Sequence, residues 1–388
     1  MATRPRPLRL EVHDLGQIAD AAIDFGDLTV LVGPQATGKS ILLQCLKLGL
    51  DGRAVRRTIK ENGYKVNDWR QFVDFFFGEG MNALWHEKSR VQVGTTAVDE
   101  SLLKARNIDA AEHRLVYVPA QRTLAVPGGF PRHFRDFGPD TPFVVRRYGA
   151  QLNDDLVNQR FLQSGRLFPN TGRMRSALRD QVTKSVFHGA ELVLDSIGPR
   201  QELRLRLPDG SALPMMAWTA GQREFVPLLL GLYSLLPAGS VSKDAGTDWI
   251  VIEEPEMGLH PQAILTVMTL VVHLVARGYR VVLSTHHPLV LDVLWTIAQI
   301  RDSAAPNKAK ALCKALMGRI DPGIESNTAQ IMKKDLRVHA LDYDKQGRVT
   351  STDISSLDPA DANESIRGWG GLTGVSARLL ESVAEVSA

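Results

Sequence analysis

The 388-residue chain has little cysteine, no long apolar run and a small net charge, and each shortage argues against a class of protein. Its two cysteines, Cys45 and Cys313, lie far apart without metal-ligand spacing, which argues against a disulfide framework or a zinc site. The longest apolar run, residues 225–236, is too short to cross a membrane and is interrupted by Pro227 and Gly231. A net charge of +3 does not by itself indicate nucleic-acid binding.

The sequence also lacks an N-terminal apolar segment of the kind that marks a secretory signal, an internal repeat, and sustained heptads. Its composition, 44% hydrophobic and 23% charged residues, is that of an ordinary globular protein. The length allows one large domain with an insertion, or two domains. We therefore expect a cytoplasmic protein without coiled-coil arms and without a membrane segment.

An apolar β-branched run, a glycine-rich loop and an apolar helix follow one another over residues 28–48. The loop has the pattern Gly-x4-Gly-Lys-Ser, which in this strand-to-helix context predicts a P-loop. Backbone amides at the start of the helix form an anion site, while the lysine supplies a point charge and the serine a magnesium ligand. The residues expected to bind the nucleotide phosphates are Gly33, Pro34, Gln35, Ala36, Thr37, Gly38, Lys39 and Ser40.

Two later apolar runs, which we predict to be strands, end in polar side chains. The first ends in Glu253 and Glu254. Adjacent carboxylates suit a nucleotide hydrolase, so we assign Glu253 to magnesium and Glu254 to the general base. The second run is followed by His286, which is suited to bind a γ-phosphate and the attacking water. An ordinary acidic loop and a helix cap with incidental histidines are the alternatives that these residues leave open.

A fourth motif, Thr-Ala-Gly-Gln at residues 219–222, opens an apolar helix. The amides of that helix start and the Thr219 hydroxyl would form a second anion-binding terminus, with Gly221 and Gln222 beside it. Simple capping of the helix by Thr219 would explain the same residues.

In order and spacing, the four motifs resemble those of ABC-type ATPases, and more narrowly those of the RecF/SMC/OLD-like group. The resemblance covers residues 8–48 and 215–295 well and residues 51–210 only loosely. It implies an ABC-type P-loop NTPase that hydrolyses ATP with Mg2+. The expected fold is α/β, with a mixed central sheet flanked by helices, an antiparallel N-terminal β part and an inserted helical and β lid.

The same resemblance implies that two copies sandwich two nucleotides. Residues 219–222, which match the signature motif of the group, would contact from one copy the γ-phosphate bound on the other. Residues 259–261 would form a D-loop along the dimer interface. Gln121, after the β run at residues 114–118, would be a Q-loop residue that joins magnesium to the lid. Arg122 is the alternative functional side chain at that place.

Three positions depart from the usual pattern of the group: Gln35 replaces Asn, Ala220 replaces Gly, and Glu253 replaces the commoner Asp. The longer carboxylate must retract to keep magnesium geometry. Since glutamate pairs occur in the OLD branch, we expect an ATPase that is slow rather than inactive.

We predict four segments along the chain. These are the N-terminal strands and P-loop (1–50), the inserted lid with the Q-loop candidate (51–210), the signature, acidic strand end and switch histidine (211–300), and the C-terminal part of the head (301–388).

The expected function is a homodimeric ATPase that acts as a sensor or regulatory motor with a separate effector protein, in DNA repair or anti-phage defence. One alternative is a magnesium-dependent nuclease of OLD-like type, for which Asp342 and Asp344 are the tempting residues. A hairpin turn explains those two residues better. The other alternative is the ATPase subunit of a transporter, which would need a separate membrane partner.

Residues 121–180 contain ten arginines, no lysine and five acidic residues. Arginine suits phosphate recognition, so this region is a candidate DNA-contacting face. A solvated, salt-bridged surface explains the composition equally well. The positions to test first are Arg146, Arg147, Arg173 and Arg175.

Overall fold

A computed structural model describes residues 7–158, 161–163, 165–239, 243 and 246–387. Within them the strands are β1 (Leu8–Leu15), β2 (Ile18–Phe25), β3 (Leu28–Val32), β4 (Arg90–Val93), β5 (Thr96–Ala97), β6 (Leu115–Val118), β7 (Arg166–Phe168), β8 (Glu191–Ile197), β9 (Arg200–Arg206), β10 (Ala212–Pro214), β11 (Trp249–Glu253), β12 (Arg280–Ser284), β13 (Leu336–Tyr343) and β14 (Val349–Asp353). The α-helices are α1 (Lys39–Glu61), α2 (Trp69–Phe77), α3 (Ser101–Lys104), α4 (Phe143–Val157), α5 (Ser176–Val182), α6 (Ala220–Leu232), α7 (Pro261–Ala276), α8 (Pro288–Asp302), α9 (Lys308–Met317), α10 (Pro322–Ile331), α11 (Glu364–Arg367) and α12 (Gly374–Ser387).

Ten strands form one large mixed sheet in the order β5-β4-β1-β2-β14-β13-β3-β12-β11-β6. The five strands β13, β3, β12, β11 and β6 run parallel to one another, whereas β1 pairs antiparallel with both β2 and β4. Strands that alternate with helices require parallel pairing with crossovers, which explains the second half of the sheet. The predicted fold class, a mixed central sheet with helices on its faces and an antiparallel N-terminal part, is confirmed.

The parallel register aligns the carboxyl ends of the strands that carry the motifs. Glu253 at the end of β11 lies opposite Ser284 at the end of β12, and Ser284 lies opposite Leu31 of β3. On the other side of β11, Ile252 lies opposite Val118, the last residue of β6. The loops that follow these four strands therefore leave the sheet at one edge, where ligands of open α/β sheets bind.

Successive residues of the central strands enter different hydrophobic clusters, because side chains alternate between the two faces of a sheet. Val30 and Val32 belong to a cluster that also contains α6, α7 and α8, whereas Leu31 packs in a second cluster with residues of α1 and α2. The same alternation holds in β11, where Ile252 and Val251 take opposite sides. Buried on both faces, these strands are held firmly at the edge that carries the motifs.

Strands β7 to β10 form a separate antiparallel sheet in the order β10-β9-β8-β7. The sequence of residues 145–195 is typical of helices, which is confirmed for α4 and α5 but is wrong for β7 and for the start of β8. A strand of three residues has too few positions to show an alternating pattern. Its pairing, with Arg166 opposite Val193, depends on a partner distant in sequence.

The division of the chain into four segments stays a prediction. Within the described residues, β6 lies inside the predicted insert, residues 51–210, yet pairs with β11 in the large sheet. Near the C-terminus, β13 and β14 form the expected antiparallel pair, with Tyr343 opposite Val349. Both cysteines are buried and unbridged.

Candidate functional site

The P-loop is a tight connection between β3 and α1, and its backbone explains its glycines. Gly33 and Gly38 have positive φ angles of 140° and 85°. Gly33 also passes so close to β13 that a Cβ atom would collide with the carbonyl oxygen of Leu341. Only glycine combines that backbone angle with so close an approach. The sequence motif therefore reflects a steric requirement as well as phosphate chemistry.

Lys39, the first residue of α1, turns its ammonium group back into the loop. Its Nζ donates hydrogen bonds to the carbonyl oxygens of Gly33 and Pro34, each at 2.8 Å. The residue is only 7% exposed, and this burial lowers the pKa of Lys39 to about 8, against the opposing effect of Glu254 and Glu256. The ammonium thus lies between the phosphate loop and the acidic strand end, where a triphosphate would pass.

Two side chains that the motifs do not include hold the tip of the P-loop. Gln17, in the turn after β1, donates its Nε2 hydrogen to the carbonyl oxygen of Ala36 at 2.8 Å. Tyr343, at the end of β13, donates its hydroxyl to the same oxygen at 3.1 Å. Ala36 has a φ of 61°, so an otherwise strained conformation is fixed from two sides. Sequence reasoning missed both residues because each lies far from the loop in sequence.

Glu253 is 2% exposed, and one carboxylate oxygen accepts the backbone amide of Ala120 at 3.1 Å. Burial raises the pKa of Glu253, whereas the neighbouring Ser40 hydroxyl, the Ala120 amide and the Tyr117 hydroxyl act in the opposite direction. Its Oε1 is buried without a hydrogen-bond partner among the described residues. An unpaired buried carboxylate oxygen beside a serine hydroxyl is a donor set that suits magnesium.

Glu254 and His286 lie close together in the loops that follow β11 and β12. Oε1 of Glu254 lies 3.5 Å from Nε2 of His286. Burial and the charge of Lys39 lower the pKa of His286, which favours its neutral ring at neutral pH. Glu254 has an unusual positive φ of 43°, and its amide donates to the carbonyl oxygen of Ser284 at 2.9 Å. Backbone strain of this kind is typical of functional positions.

A third carboxylate, Glu256, fixes the loop that carries His286. Its Oε1 accepts two hydrogen bonds at 2.7 Å, one from the Thr285 hydroxyl and one from the His286 amide. The Thr285 amide in turn donates to the carbonyl oxygen of Leu31 in β3 at 3.0 Å. In the sequence, Pro255 and Glu256 directly follow the acidic pair. Nothing in the sequence indicates that Glu256 holds the His286 loop by hydrogen bonds.

The signature residues lie at the surface, at the start of α6. The Thr219 hydroxyl caps the helix by accepting a hydrogen bond from the backbone amide of Gln222. In return, the side-chain oxygen of Gln222 accepts a hydrogen bond from the backbone amide of Thr219. A Cβ atom on Gly221 would lie 2.8 Å from the carbonyl oxygen of Gly258, so α6 packs tightly on the loop after β11. A cavity of about 380 Å³ lies here, lined by residues 219–222 together with Leu259 and others.

Within the described residues, no hydrogen bond or ion pair joins residues 219–222 to the P-loop. The structure thus brings Lys39, Ser40, Glu253, Glu254 and His286 to one edge and leaves the signature at another surface. Both capping and phosphate contact remain compatible with the geometry of Thr219, because the cap uses its hydroxyl as an acceptor only.

Gln121 and Arg122, the two alternatives after β6, occupy opposite environments. Gln121 is exposed, and no hydrogen bond of its side chain occurs within the described residues. Arg122 is fully buried, and its guanidinium donates to the backbone carbonyls of Glu224, Glu253 and Glu254. Of the two, Arg122 is the residue that touches the acidic strand end.

Several arginines of the arginine-rich region make contacts within the protein. Arg146, Arg173 and Arg175 each donate to backbone carbonyl oxygens, at distances from 2.7 to 3.3 Å. Arg147 is half-buried and lines a cavity of about 770 Å³ between α1 and α4. The guanidinium groups of Arg146, Arg173 and Arg175 thus each have a structural contact that accounts for at least one of their donors. The composition of residues 121–180 therefore has a structural explanation, and a DNA-contacting face has no support from these contacts.

The acidic residues considered for a nuclease lie in the hairpin between β13 and β14. The Asp344 carboxylate accepts the amides of Gln346 and Arg348, at 2.8 and 2.9 Å. Asp342 is exposed and bonds the amide of its neighbour Tyr343. Among the described residues, no group of three or more His, Cys, Asp or Glu side chains is arranged to hold a metal ion. Asp344 acts as a turn residue, as the sequence pattern favours.

Two segments of the chain match models of AAA domains. Residues 184–292 match the family described as "AAA domain, putative AbiEii toxin, Type IV TA system", and residues 9–101 match a family described as "AAA domain". The two segments include the acidic strand end with the switch histidine and the P-loop, respectively. No curated protein sequence matches the chain significantly.

Similar solved structures are heads of SMC proteins. One is an SMC head bound to the C-terminal winged-helix domain of ScpA, with 11% identity over 74% of this chain and 92% of that chain, at a TM-score of 0.39. The SMC head of Thermotoga maritima has 15% identity over 74% and 92% of the chains, at a TM-score of 0.32. A Pyrococcus furiosus head with an extended coiled coil, bound to the C-terminal domain of ScpA, has 11% identity over 73% and 90%, at 0.39.

These superpositions are loose, and the fold assignment depends on the strand order and on the P-loop geometry. The two AAA-domain matches, together with the strand order and the P-loop geometry, confirm the resemblance to an ABC-type ATPase head. The described part of the chain contains no coiled-coil arm. No helix among the described residues is long and apolar enough to span a membrane.

Proposed function

Because the chain resembles an ABC-type ATPase head in its motifs and its fold, we propose that it binds ATP with Mg2+ and hydrolyses it. The single observation that supports this best is the common edge of four parallel strands. Lys39, Ser40, Glu253, Glu254 and His286 lie there within one continuous site. A phosphate loop, a metal-binding pair and a carboxylate beside a histidine are the parts that phosphoryl transfer to water requires.

Each side chain has a defined task in this proposal. Ser40 and Glu253 would hold Mg2+, which neutralises charge on the β- and γ-phosphates when bound. Lys39 binds the same phosphates as a point charge. Glu254 accepts a proton from the attacking water, whose oxygen bonds to the γ-phosphorus as the bond to the β–γ bridging oxygen breaks. His286 binds the γ-phosphate oxygen and keeps Glu254 oriented. Gln121 stays a proposed ligand of metal and nucleotide, without a contact that supports it.

We propose further that two copies close around two nucleotides. Of the signature residues, Thr219 and Ala220 are exposed and Gly221 and Gln222 are half-buried, and all four line a cavity of about 380 Å³. Among the described residues, no hydrogen bond or ion pair joins them to the P-loop of their own chain. A helix N-terminus facing outward is suited to a phosphate held by another subunit. The cavity is also lined by Leu259 and His260, which belong to the expected D-loop, and by Gly258, which precedes it.

The setting we propose is anti-phage defence, with a separate effector protein that responds to the nucleotide state. The matched family over residues 184–292 is described as a toxin of a toxin–antitoxin system, which favours defence over DNA repair.

The proposal is tested with Glu254→Gln, which keeps the size of the side chain but removes the base. With ATP and magnesium, this variant should hydrolyse ATP at least about a hundredfold more slowly and elute from size exclusion as a dimer. Lys39→Ala should bind no ATP and should show no ATP-dependent dimer. A Glu254→Gln protein that hydrolyses ATP at the wild-type rate would refute the assignment of the base. One that binds ATP but stays monomeric would refute the sandwich.

A further inference from the structure

Arg122 is the largest fully buried side chain within the described residues, and it lies directly after β6. Arginine is rarely buried completely unless its charge and donors are satisfied. Here Nε donates to the carbonyl oxygen of Glu224 at 2.9 Å, Nη1 to that of Glu253 at 3.0 Å, and Nη2 to that of Glu254 at 3.2 Å. The Glu224 carboxylate, 3.3 Å from Nε, supplies the counter-charge.

The three carbonyls belong to two different elements of the site. Glu224 lies in the first turns of α6, the helix that residues 219–222 open. Glu253 and Glu254 form the acidic end of β11. One rigid, planar guanidinium therefore spans the signature helix and the acidic strand end, and its fork fixes the distance between them.

A second contact supports the same connection. Gly221 approaches Gly258 so closely that a Cβ atom would lie 2.8 Å from the Gly258 carbonyl oxygen. The start of α6 thus touches the loop after Glu254 on one side, while Arg122 holds the other side. A displacement of the signature segment cannot occur without moving Arg122 or the Glu254 carbonyl, since packed interiors transmit rather than absorb such shifts.

Glu254 is sensitive to such a displacement. Its φ of 43° is strained for a glutamate, and three hydrogen bonds hold its backbone. Its amide donates to the carbonyl oxygen of Ser284, and its own carbonyl oxygen accepts from Arg122 Nη2 and from the amide of Met257. Arg122 supplies one of these three restraints, so its loss holds the backbone that directs the Glu254 carboxylate toward His286 less firmly. The position of the proposed base therefore depends on Arg122, which is also hydrogen-bonded to α6.

We infer that Arg122 is a positioning residue that couples the signature segment, residues 219–222, to Glu254 of the same chain. The inference depends on the proposed ATP sandwich: contact of the signature with the nucleotide of the partner subunit sets the base that acts on the chain's own nucleotide. Arg122 thereby links the two nucleotide sites of a dimer. Coupling of this kind is a difference in free energy between two arrangements, and it appears as cooperativity.

The test compares Arg122→Lys with Arg146→Lys. Arg146 is also buried and also donates to two backbone carbonyls, of Thr141 and Gly138, but has no contact with the site. Lysine keeps the charge in both proteins, yet its single ammonium cannot bridge carbonyls as a guanidinium fork does. Steady-state ATP hydrolysis, ATP affinity and thermal unfolding are measured for both variants and the wild type.

For Arg122→Lys we expect kcat to fall about tenfold or more, ATP affinity to change less than about threefold, and the Hill coefficient for ATP to drop to 1. Arg146→Lys should lose a comparable amount of thermal stability while its kcat and Hill coefficient stay at the wild-type values. Equal kinetic behaviour of the two variants would overturn the inference, because Arg122 would then be structural only.

Glu224→Gln is the second variant, in case Arg122→Lys does not fold. It removes the counter-charge but keeps the backbone carbonyl, and should lower kcat and the Hill coefficient in the same direction by a smaller factor. Unchanged kinetics in Glu224→Gln would contradict the coupling. If the wild-type protein hydrolyses ATP and Arg122→Lys behaves like it, the coupling is refuted but the proposed function is not. If the wild-type protein does not hydrolyse ATP, the proposed function is refuted as well.

Discussion

The buried pair Lys47–Asp51 gives a sharp test of how α1 is anchored. Nζ of Lys47 lies 2.6 Å from Oδ2 of Asp51, and the two side chains are 3% and 0% exposed. Asp51 also accepts the backbone amides of Arg114 and Leu115, at the start of β6, and Lys47 donates to the carbonyl of Leu115. Asp51 departs from helical angles, so the pair holds a break in the helix that begins at Lys39.

The expected cost of breaking this pair follows from its burial. Burial by itself would raise the pKa of Asp51, but Lys47, His113 and the backbone amide of Arg114 hold it far below its usual range. Because the pKa is depressed on folding, this contribution to stability is present above about pH 4 and is lost as the pH falls further. Asp51→Asn leaves the Lys47 ammonium buried without its counter-charge, which should cost about 3–5 kcal/mol at pH 7.

The same helix provides a matched control. Arg57 and Glu61 have the same spacing of four residues and a 2.7 Å contact, but their side chains are 35% and 55% exposed. Glu61→Gln should therefore cost no more than about 0.5 kcal/mol. Urea unfolding at pH 7 measures both, with Lys47→Met and the Lys47→Met/Asp51→Asn double variant to complete the cycle.

We expect the double variant to be less destabilised than the sum of its two single changes, because neither charge then remains alone. The reasoning is refuted if Asp51→Asn costs as little as Glu61→Gln, or if the two single costs simply add. Either result would mean that water or local rearrangement compensates the buried charge.

Two further predictions concern the loops of the site. Gly33→Ala forces a Cβ atom against the Leu341 carbonyl at a φ of 140°, so it should cost about 2 kcal/mol or more of stability and weaken ATP binding, as seen by unfolding and by calorimetric titration. Glu256→Ala removes the acceptor that holds the His286 amide, so kcat should fall about tenfold or more with little change in KM, whereas the exposed Glu87→Ala should leave both unchanged.

The parts of the site that the sequence predicts are those encoded by neighbouring residues. A P-loop, an acidic pair and a switch histidine each lie at the end of an apolar run, and parallel strands necessarily bring such ends to one edge. Glu254 and His286 could therefore be expected to meet, and they lie 3.5 Å apart. The continuous apolar runs likewise predicted central strands, whereas the three-residue strand β7 has no such run.

The parts that the sequence could not predict depend on contacts between distant segments. Tyr343 reaches Ala36 only because β13 lies beside β3, an arrangement set by the whole sheet. The arginines of residues 121–180 look alike as a list of cations, and only their carbonyl partners separate structural ones from available ones. The composition gives the number of charged side chains, but the function of each one depends on the groups that it contacts in the fold.

The comparison of Gln121 with Arg122 shows why position in a motif is weaker evidence than environment. The resemblance to ABC-type heads places a Q-loop glutamine after β6, yet in this structure the glutamine is exposed and its neighbour carries the contacts. A guanidinium that is fully buried needs every donor satisfied, so its partners identify what it holds in place. Here they are the signature helix and the acidic strand end. The P-loop thus belongs to a site whose proposed base, Glu254, is connected to α6 through Arg122, and α6 opens with the residues expected to meet a second nucleotide.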